Sequence, residues 1–301
     1  MATSVRRPLL RGVYVPLVTP FAADGSVALD ALESLAIEKL AAGAAGLVPL
    51  GTTGEVPTLE PEERAAVLEV CGRVVVEHGG QLVAGAGTNS TRATIQAVQT
   101  LAEMPGITAA MCVVPYYVRP SQAGIVAHFV EVAQASLVPI VIYNVPARTG
   151  RVLEADGLLE LARTPNIAGV KQAVDGIDLA TLRVLAEASP EFAVLGGDDP
   201  YLFPTVLLGG SGAIAASAHV CTERFVAMIE CGLAGKVDEG RAHHEALLPV
   251  VTACFAEPNP AVFKGVLYAQ GRIPTPDVRL PLTAASGPAI ERALAAIADA
   301  S

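Results

Sequence analysis

The chain has 301 residues, of which 52% are hydrophobic and 17% are charged, and its formal net charge is −10 at pH 7. This composition is that of an ordered globular protein and excludes a disordered chain. The negative charge argues against nucleic acid or an anionic membrane as the main partner, whereas a binding site for small molecules can still be locally positive.

The cysteines and the lengths of the apolar runs indicate the cellular compartment in which the protein is expected. The five cysteines are widely spaced and form no CxxC pair, which favours free thiols in a reducing environment over disulfides or a metal site. No run reaches about 18 apolar residues, so no transmembrane helix is predicted. Prolines interrupt residues 1–21, and this segment lacks the pattern of a signal peptide. We therefore expect a cytoplasmic protein.

Eight short apolar runs alternate with longer helical patterns through the first two thirds of the chain. The runs are continuously apolar rather than alternating, as a parallel sheet covered on both faces requires. The predicted strands are 12–19, 46–50, 81–86, 109–114, 138–144, 167–171, 193–197 and 212–217.

Helical patterns fill the intervals between these strands. One opens with Pro61 at a first-turn position, and two end at the glycines Gly43 and Gly79. The predicted helices are 30–43, 61–79, 91–103, 122–136, 153–163, 178–189 and 200–210. The alternation with short loops predicts right-handed crossovers and a closed (β/α)8 TIM barrel of the α/β class.

After about residue 222 the strand patterns stop. Only helical patterns follow, over 222–235, 237–256, 260–271 and 286–300. We therefore predict a (β/α)8 catalytic barrel over residues 1–222, followed by a C-terminal helical region, or appendix, over residues 223–301.

The active site of such a barrel lies at the C-terminal ends of its strands, where Lys171 ends the sixth predicted strand. Burial disfavours an ammonium group and lowers the pKa of a lysine. A neutral amine can attack a ketone and form a Schiff base. The alternative is a structural lysine that pairs with an acid or extends its stem to solvent.

Other polar residues follow the neighbouring strands. Tyr143 could move the protons that Schiff-base formation requires without adding a charge. In the loop GTTGE, residues 51–55, glycines let the backbone approach a ligand, and the threonine hydroxyl and N–H groups suit a small carboxylate. Arg148 could bind a second carboxylate through its planar guanidinium. Taken alone, GTTGE could also be a plain glycine-rich turn. The loop that carries Arg148 could also be an ordinary surface loop.

Metal and nucleotide sites are less favoured by the sequence. Only His219 of the five histidines lies near a strand end, so we expect no catalytic metal. GAGTNS, residues 85–90, lacks the third glycine of a dinucleotide-binding fingerprint. We expect Asp198 and Asp199 to cap the following helix and orient the rim.

These motifs together resemble the dihydrodipicolinate synthase/N-acetylneuraminate lyase family of pyruvate-dependent class I aldolases. The resemblance runs from about Gly12 to the C-terminal helices. The motifs that carry it are GTTGE, PYYVRPSQ, YNVPARTG, GVK, GDD and EPNPAVFKG. It implies a metal-independent lyase without a cofactor other than the covalent lysine–pyruvate imine.

The resemblance also implies roles for individual residues. Lys171 would form the Schiff base with pyruvate, and Tyr143 would donate and accept protons. Thr52 and Tyr117 would complete a hydroxyl relay with Tyr143. The tyrosine at the position of Tyr117 comes from a neighbouring subunit in such enzymes, which implies a homodimer or a homotetramer.

Substrate-binding roles follow in the same way. Thr53, Gly197 and the backbone at Ile214 would hold pyruvate and its surroundings, and Arg148 would meet the carboxylate of the second substrate. Within the family, Arg148 and the paired threonines favour the branch that condenses pyruvate with L-aspartate 4-semialdehyde to 4-hydroxy-tetrahydrodipicolinate in lysine biosynthesis. The alternatives are a lyase for a sugar acid or a 2-keto-3-deoxy acid, and a non-catalytic sensor that binds a keto acid.

Some positions depart from the pattern of that branch. Gln172 stands where an acid is common, Phe263 where a smaller aliphatic residue is usual, and His219 where asparagine is frequent. These departures bear on the second substrate more than on the imine.

Feedback by lysine is predicted to be weak or absent. Of the positions that match a family site for inhibitory lysine, Asn89 is kept. Val56, Pro61, Arg64 and Ala93 do not suit it.

Overall fold

The computed structural model describes residues 9–300 and contains a closed barrel of eight parallel strands. Each strand pairs with the next one in sequence, and β8 closes on β1. The strands are β1 Gly12–Val15, β2 Gly46–Leu47, β3 Gln81–Gly85, β4 Ile107–Val113, β5 Ile140–Asn144, β6 Ile167–Gln172, β7 Ala193–Gly196 and β8 Gly212–Ile214. The predicted fold class is confirmed.

Helices connect consecutive strands and then continue without further strands to the end of the described chain. They are α1 Leu29–Ala41, α2 Pro61–His78, α3 Thr91–Leu101, α4 Gln122–Ala135, α5 Pro146–Thr149, α6 Ala155–Arg163, α7 Leu179–Glu187, α8 Leu202–Leu207, α9 Thr222–Leu233, α10 Val237–Cys254, α11 Ala261–Ala269 and α12 Gly287–Asp299. Within residues 9–300, none of them combines the length and apolar content needed to cross a bilayer. Residues 1–8, on which the signal-peptide prediction partly rests, lie outside the described range.

Helix ends follow the local sequence. Helix α2 begins at Pro61, where a capping box joins Glu60 and Glu63, and it is followed by Gly79 with a φ of 79°. Proline needs no hydrogen-bond acceptor in a first turn, and glycine adopts a positive φ without steric cost. The predicted start at Pro61 and the glycine after the helix are therefore confirmed.

Several strands end earlier than predicted, because the chain turns over the rim. Strand β1 stops before Pro16, which has no N–H to donate to a neighbouring strand. Strand β2 stops at Leu47, and Leu50 adopts a φ of 57° that no strand residue has. Strand β8 gives way to a 3-10 turn at Ser217–His219. The residues that leave the strands early form the loops of the site.

Buried side chains form an inner and an outer layer around the sheet. Tyr14, Met111, Val141 and Leu195 belong to the cluster inside the barrel, while other strand residues pack outward against the helices. Strands β5, β6 and β7 are buried at every position, as predicted for a sheet covered on both faces.

The helices after residue 222 pack back onto the barrel. A third buried cluster joins Phe263 and Val266 of α11 to Val18 and Ala216 of the rim loops. These contacts bring the C-terminal region to the same end of the barrel as the loops that follow the strands. The boundary proposed at residue 222 stays a prediction.

Candidate active site

Loops that follow the strands enclose a cavity of about 450 Å³ at the C-terminal end of the barrel. Seven of the eight predicted site residues line it: Lys171, Tyr143, Thr52, Thr53, Arg148, Gly197 and Ile214. They come from loops or strand ends of β2, β5, β6, β7 and β8, because a closed parallel barrel brings all its C-terminal strand ends to one rim.

Lys171 reaches this cavity from the inner face of the barrel. In the sheet register it lies between Tyr143 of β5 and Leu195 of β7, whose side chains belong to the inner cluster. The Nζ atom of Lys171 lies 4.3 Å from the centre of the Tyr143 ring, and the residue is only 7% exposed. Within residues 9–300 this amine forms no ion pair or hydrogen bond. It is therefore a buried amine that faces a cavity and has no carboxylate within ion-pair distance among the described residues. Burial raises the pKa of Asp198 and Asp199, and the charge of Lys171 opposes this rise.

The threonines lie on a short 3-10 turn, Thr52–Gly54, that follows β2. Thr53 is buried, and its Oγ1 atom accepts a hydrogen bond of 3.1 Å from Nδ2 of Asn259. The hydroxyl of Thr19 donates a bond of 2.8 Å to the carbonyl of Gly54. The loop is thus fixed from two sides, and both threonines face the cavity.

Arg148 lies in the short helix α5, directly after β5. It is exposed at the mouth of the cavity. Among the described residues its guanidinium has no carboxylate partner within ion-pair distance. An arginine in this position can form a bidentate contact with a carboxylate that enters the cavity.

Gly197 keeps space open next to the buried amine. A Cβ atom at this position would lie 2.9 Å from Cε of Lys171 and 2.9 Å from the carbonyl oxygen of Gln172. Such contacts are too short for any side chain to be accepted without a shift. The glycine therefore lets the backbone after β7 approach Lys171.

The two aspartates that follow Gly197 do not cap the next helix with their side chains, so the capping part of this prediction is wrong. Asp198 instead accepts a hydrogen bond of 2.7 Å from the backbone N–H of Asp175, and Asp199 accepts one of 2.6 Å from the N–H of Ser217. Burial raises the pKa of both carboxyl groups. They connect the loops after β6 and β8 to the loop after β7.

Tyr117 is the one predicted site residue that lies away from the cavity. It is 88% exposed and has a φ of 69°. Its neighbour Tyr116 lines a second, mostly apolar cavity of about 380 Å³. Thr52, Tyr143, Arg148 and Asn259 line both cavities, so the second adjoins the first.

Both ring nitrogens of His219 contact backbone groups of neighbouring loops. Its Nε2 atom accepts a hydrogen bond of 3.0 Å from the N–H of Val18, and its Nδ1 atom lies 2.8 Å from the carbonyl oxygen of Ala216. Burial lowers the pKa of this imidazole to about 3. Residues 9–300 contain no cluster of three histidine, cysteine or acidic side chains placed to hold a metal ion.

The sequence did not identify several residues that line the cavity. Phe255 and Asn259 come from the C-terminal region, and Met111 comes from the inner face of β4. The motif EPNPAVFKG carried part of the family resemblance, yet no role followed for its asparagine. Helical periodicity does not reveal such contacts, because Asn259 lies 206 residues from Thr53.

Comparison with known proteins agrees with this geometry. Residues 9–300 match the profile of the Dihydrodipicolinate synthetase family. The 4-hydroxy-tetrahydrodipicolinate synthase of Moorella thermoacetica is 41% identical over 287 residues, covering 95% of this chain and 97% of that protein.

Two solved structures are similar over nearly the whole chain. Dihydrodipicolinate synthase from Thermotoga maritima has a TM-score of 0.93 at 31% identity, with 97% of this chain and 99% of that chain covered. The chloride-inhibited dihydrodipicolinate synthase from Acinetobacter baumannii, in complex with pyruvate, has a TM-score of 0.92 at 32% identity, with 96% and 98% covered. The chain is therefore an enzyme of the lyase type and belongs to the dihydrodipicolinate synthetase family.

Proposed function

We propose that this enzyme condenses pyruvate with L-aspartate 4-semialdehyde to give 4-hydroxy-tetrahydrodipicolinate, through an imine on Lys171. The observation that carries the proposal is the Lys171 amine, which is buried over the Tyr143 ring and faces the cavity with no carboxylate of residues 9–300 within ion-pair distance. The names of the relatives in this family and the pyruvate bound to the Acinetobacter baumannii enzyme support the choice of substrates.

The reaction begins when the neutral amine attacks the keto carbon of pyruvate. The carbinolamine that forms loses one water and becomes an imine. Loss of a proton from the methyl carbon then gives an enamine, which forms a carbon–carbon bond to the aldehyde carbon of the second substrate. The amino group of that substrate attacks the imine carbon, closes the ring and releases the lysine. One water leaves overall, and no electron donor or acceptor is needed.

Protons must move at each of these steps. Tyr143 is the proton donor and acceptor of the proposal, because its side chain lies beside Nζ of Lys171 in the cavity. Thr52 lines the same cavity and links Tyr143 to Tyr117 in the proposed relay. The imine itself serves as the electron sink, so the proposed chemistry uses no metal and no further cofactor.

Binding groups surround the reacting atoms. Thr53, Gly197 and the backbone at Ile214 hold pyruvate in the proposal, because polar backbone groups at a tight turn suit a small carboxylate. Arg148 at the mouth binds the carboxylate of the semialdehyde. A second carboxylate therefore distinguishes the preferred substrate from a neutral aldehyde.

Tyr117 completes the relay from a second copy of the chain in this proposal. It is exposed and does not line the cavity of its own subunit, and an apolar cavity adjoins the site where an aromatic ring could enter. We therefore propose a homodimer or a larger homo-oligomer. Sedimentation-velocity measurements test this: a monomer at micromolar concentration with full activity would contradict it.

The five cysteines are free thiols, two of them half-buried and three buried. Free thiols persist in reducing compartments, which supports a cytoplasmic location as part of this proposal.

Trapping with borohydride tests the chemistry directly. Incubation with pyruvate and borohydride is expected to add the reduced pyruvate unit to Lys171, as peptide mass spectrometry would show. Absence of an adduct would contradict the proposed imine on Lys171. A coupled assay then compares L-aspartate 4-semialdehyde with sugar acids and 2-keto-3-deoxy acids; turnover of one of the latter alone would contradict the proposed second substrate.

A further inference from the structure

The loop of residues 51–55, called the threonine loop below, is held in a conformation that its own sequence does not favour. Leu50, just before the loop, has a φ of 57°, and Glu55, at its end, has a φ of 55°. Residues with a side chain are uncommon in this left-handed region and occupy it at a cost. The loop therefore needs contacts from outside to keep Thr52 and Thr53 in place.

Those contacts come from a buried ion pair. One carboxylate oxygen of Glu55 lies 2.7 Å from Nζ of Lys264, and both side chains are fully buried. The other oxygen accepts a hydrogen bond of 2.8 Å from the backbone N–H of Arg279. A buried charge is costly unless it is paired and hydrogen-bonded, so this carboxylate can take few other positions.

An aromatic ring packs against the same group of charges. Nζ of Lys264 lies 3.9 Å from the centre of the Phe21 ring, and Cζ of Arg279 lies 4.4 Å from it. The Arg279 guanidinium also pairs with Glu63 in the first turn of α2. Cation–π contacts on a buried ring add to the stability of this arrangement. The end of the threonine loop is thus fixed to the segment after β1, to α2 and to the C-terminal region.

The start of helix α11 holds the loop at a second point. Asn259, which precedes the helix, donates to Oγ1 of Thr53 at 3.1 Å, while Lys264 within the helix binds Glu55. Oδ1 of Asn259 is buried and has no hydrogen-bond partner among residues 9–300. One short segment of the C-terminal region therefore contacts two residues of the threonine loop.

We propose that Lys264, through its buried ion pair with Glu55, is a positioning residue that fixes the threonine loop opposite Lys171. This inference rests on the proposed function, because it assigns Thr52 and Thr53 to the reaction with pyruvate. Lys264 itself lines neither this cavity nor the second one. Its effect reaches the reacting atoms through the geometry of the loop.

The experiment uses the double variant Glu55→Gln/Lys264→Met, which removes both charges and leaves neither one buried alone. We expect the KM for pyruvate to rise roughly 10-fold and imine trapping on Lys171 to slow by a similar factor, since small misplacements of binding groups are costly. The KM for L-aspartate 4-semialdehyde is expected to stay within about twofold, because Arg148 lies on a different loop.

A merely structural role predicts a different pattern. It lowers the fraction of folded enzyme and the apparent kcat, but it leaves the KM for pyruvate and the trapping rate per folded molecule unchanged. The matched control is Lys39→Met, which removes another fully buried lysine whose Nζ binds the carbonyl of His219 and not the loop. We expect this control to lose thermal stability and to keep the KM for pyruvate of the unmodified enzyme.

Two outcomes overturn the positioning role. The first is a folded double variant with an unchanged KM for pyruvate and an unchanged trapping rate. The second applies if the double variant does not fold, in which case the single variant Glu55→Gln, which keeps the shape of the side chain, is measured in its place. An unchanged KM for pyruvate and an unchanged trapping rate in this single variant would also overturn the role. Failure of the unmodified enzyme to form any trapped adduct with pyruvate would instead contradict the proposed function.

Discussion

Two buried lysines of this enzyme lie in contrasting surroundings. Lys171 and Lys264 each place Nζ over an aromatic ring, at 4.3 Å from the centre of Tyr143 and 3.9 Å from that of Phe21. Lys264 has the carboxylate of Glu55 at 2.7 Å, whereas Lys171 faces a cavity and has no carboxylate of residues 9–300 within ion-pair distance. Burial beside an aromatic ring therefore does not by itself make a nucleophile.

The carboxylate of Glu55 determines the chemical environment of the Lys264 amine. Removal from water lowers the pKa of Lys264 to about 8, and the charge of Glu55 opposes that change. Because the carboxylate of Glu55 lies against Nζ of Lys264, a ketone cannot approach this amine. No carboxylate among residues 9–300 lies within ion-pair distance of Lys171, so its amine keeps open the direction towards the cavity, as the proposed imine requires.

The largest expected effect comes from replacing the unpaired amine. Lys171→Arg keeps a long cationic side chain but removes the nucleophile, so kcat is expected to fall by about 10⁴-fold or more. Borohydride trapping with pyruvate is expected to disappear in the same variant. The coupled assay measures the first effect and peptide mass spectrometry the second. Turnover close to that of the unmodified enzyme would show that Lys171 is not the reacting group.

Removing the hydroxyl beside that amine comes next. Tyr143→Phe keeps the ring under Nζ of Lys171 but cannot move protons, so kcat is expected to fall by about 10²- to 10³-fold. Tyr116→Phe is a matched control, because Tyr116 lines the second cavity and not the first. Similar losses in both variants would argue against a specific role for Tyr143.

Replacing each of the two lysines by methionine is expected to change the free energy of unfolding by different amounts. Lys264→Met leaves Glu55 buried and unpaired, so the free energy of unfolding is expected to fall by about 3–5 kcal/mol. Lys171→Met replaces an unpaired buried amine by an apolar chain, and a loss of less than about 1 kcal/mol is expected. Denaturant unfolding of both variants measures the difference. Equal losses would mean that Lys171 also has a stabilising charge partner.

A buried histidine adds a pH dependence of known sign. Burial lowers the pKa of His219 to about 3 from its ordinary 6.5, so the unfolded chain binds more protons between these values. Its contribution to the free energy of unfolding is therefore fully present above pH 6.5 and is lost as the pH falls towards 3.

His219→Asn keeps an amide that can donate to the carbonyl of Ala216 in place of Nδ1, and it does not titrate. The decrease in the free energy of unfolding as the pH falls is expected to be smaller in this variant by up to a few kcal/mol. The exposed His78→Asn is the control, and thermal melting from pH 4 to pH 7 is the measurement. Parallel pH curves for His219→Asn and the unmodified enzyme would contradict the expectation.

The smallest effect concerns free lysine as a ligand. Val56, Pro61, Arg64 and Ala93 offer no acidic group for a lysine ammonium, and Nε of Arg64 already donates to the carbonyl of Leu59 at 2.9 Å. We expect L-lysine at millimolar concentration to leave both the melting temperature and the initial rate unchanged. A ligand that binds the native state raises the melting temperature, so a saturable shift would contradict the prediction.

The fold and most of the rim could be predicted because their signals are local. Continuous apolar runs such as 140–144 identify buried parallel strands, and the residue that ends each run must lie on the rim. Lys171 and Tyr143 follow from this logic, since each lies one residue before the end of a buried strand and the register places them side by side. The family resemblance supplied their roles.

The remaining features depend on contacts between distant parts of the chain. Asn259 binds Thr53 across 206 residues, and Lys264 binds Glu55 across 209. No periodicity or spacing encodes such a pair. The side chains of Asp198 and Asp199 were also misassigned, because helix-capping rules consider only the residues that follow and not the N–H groups of other rim loops.

The position of Phe255 and Asn259 in the wall of the cavity has a consequence for biosynthesis of the molecule. A ribosome completes all eight strands by Ile214, roughly forty residues before either wall residue is joined to the chain. One wall of the cavity is therefore the last part of the site to be synthesised. We expect a product that ends before Phe255 to lack turnover, because its cavity would be open on that side.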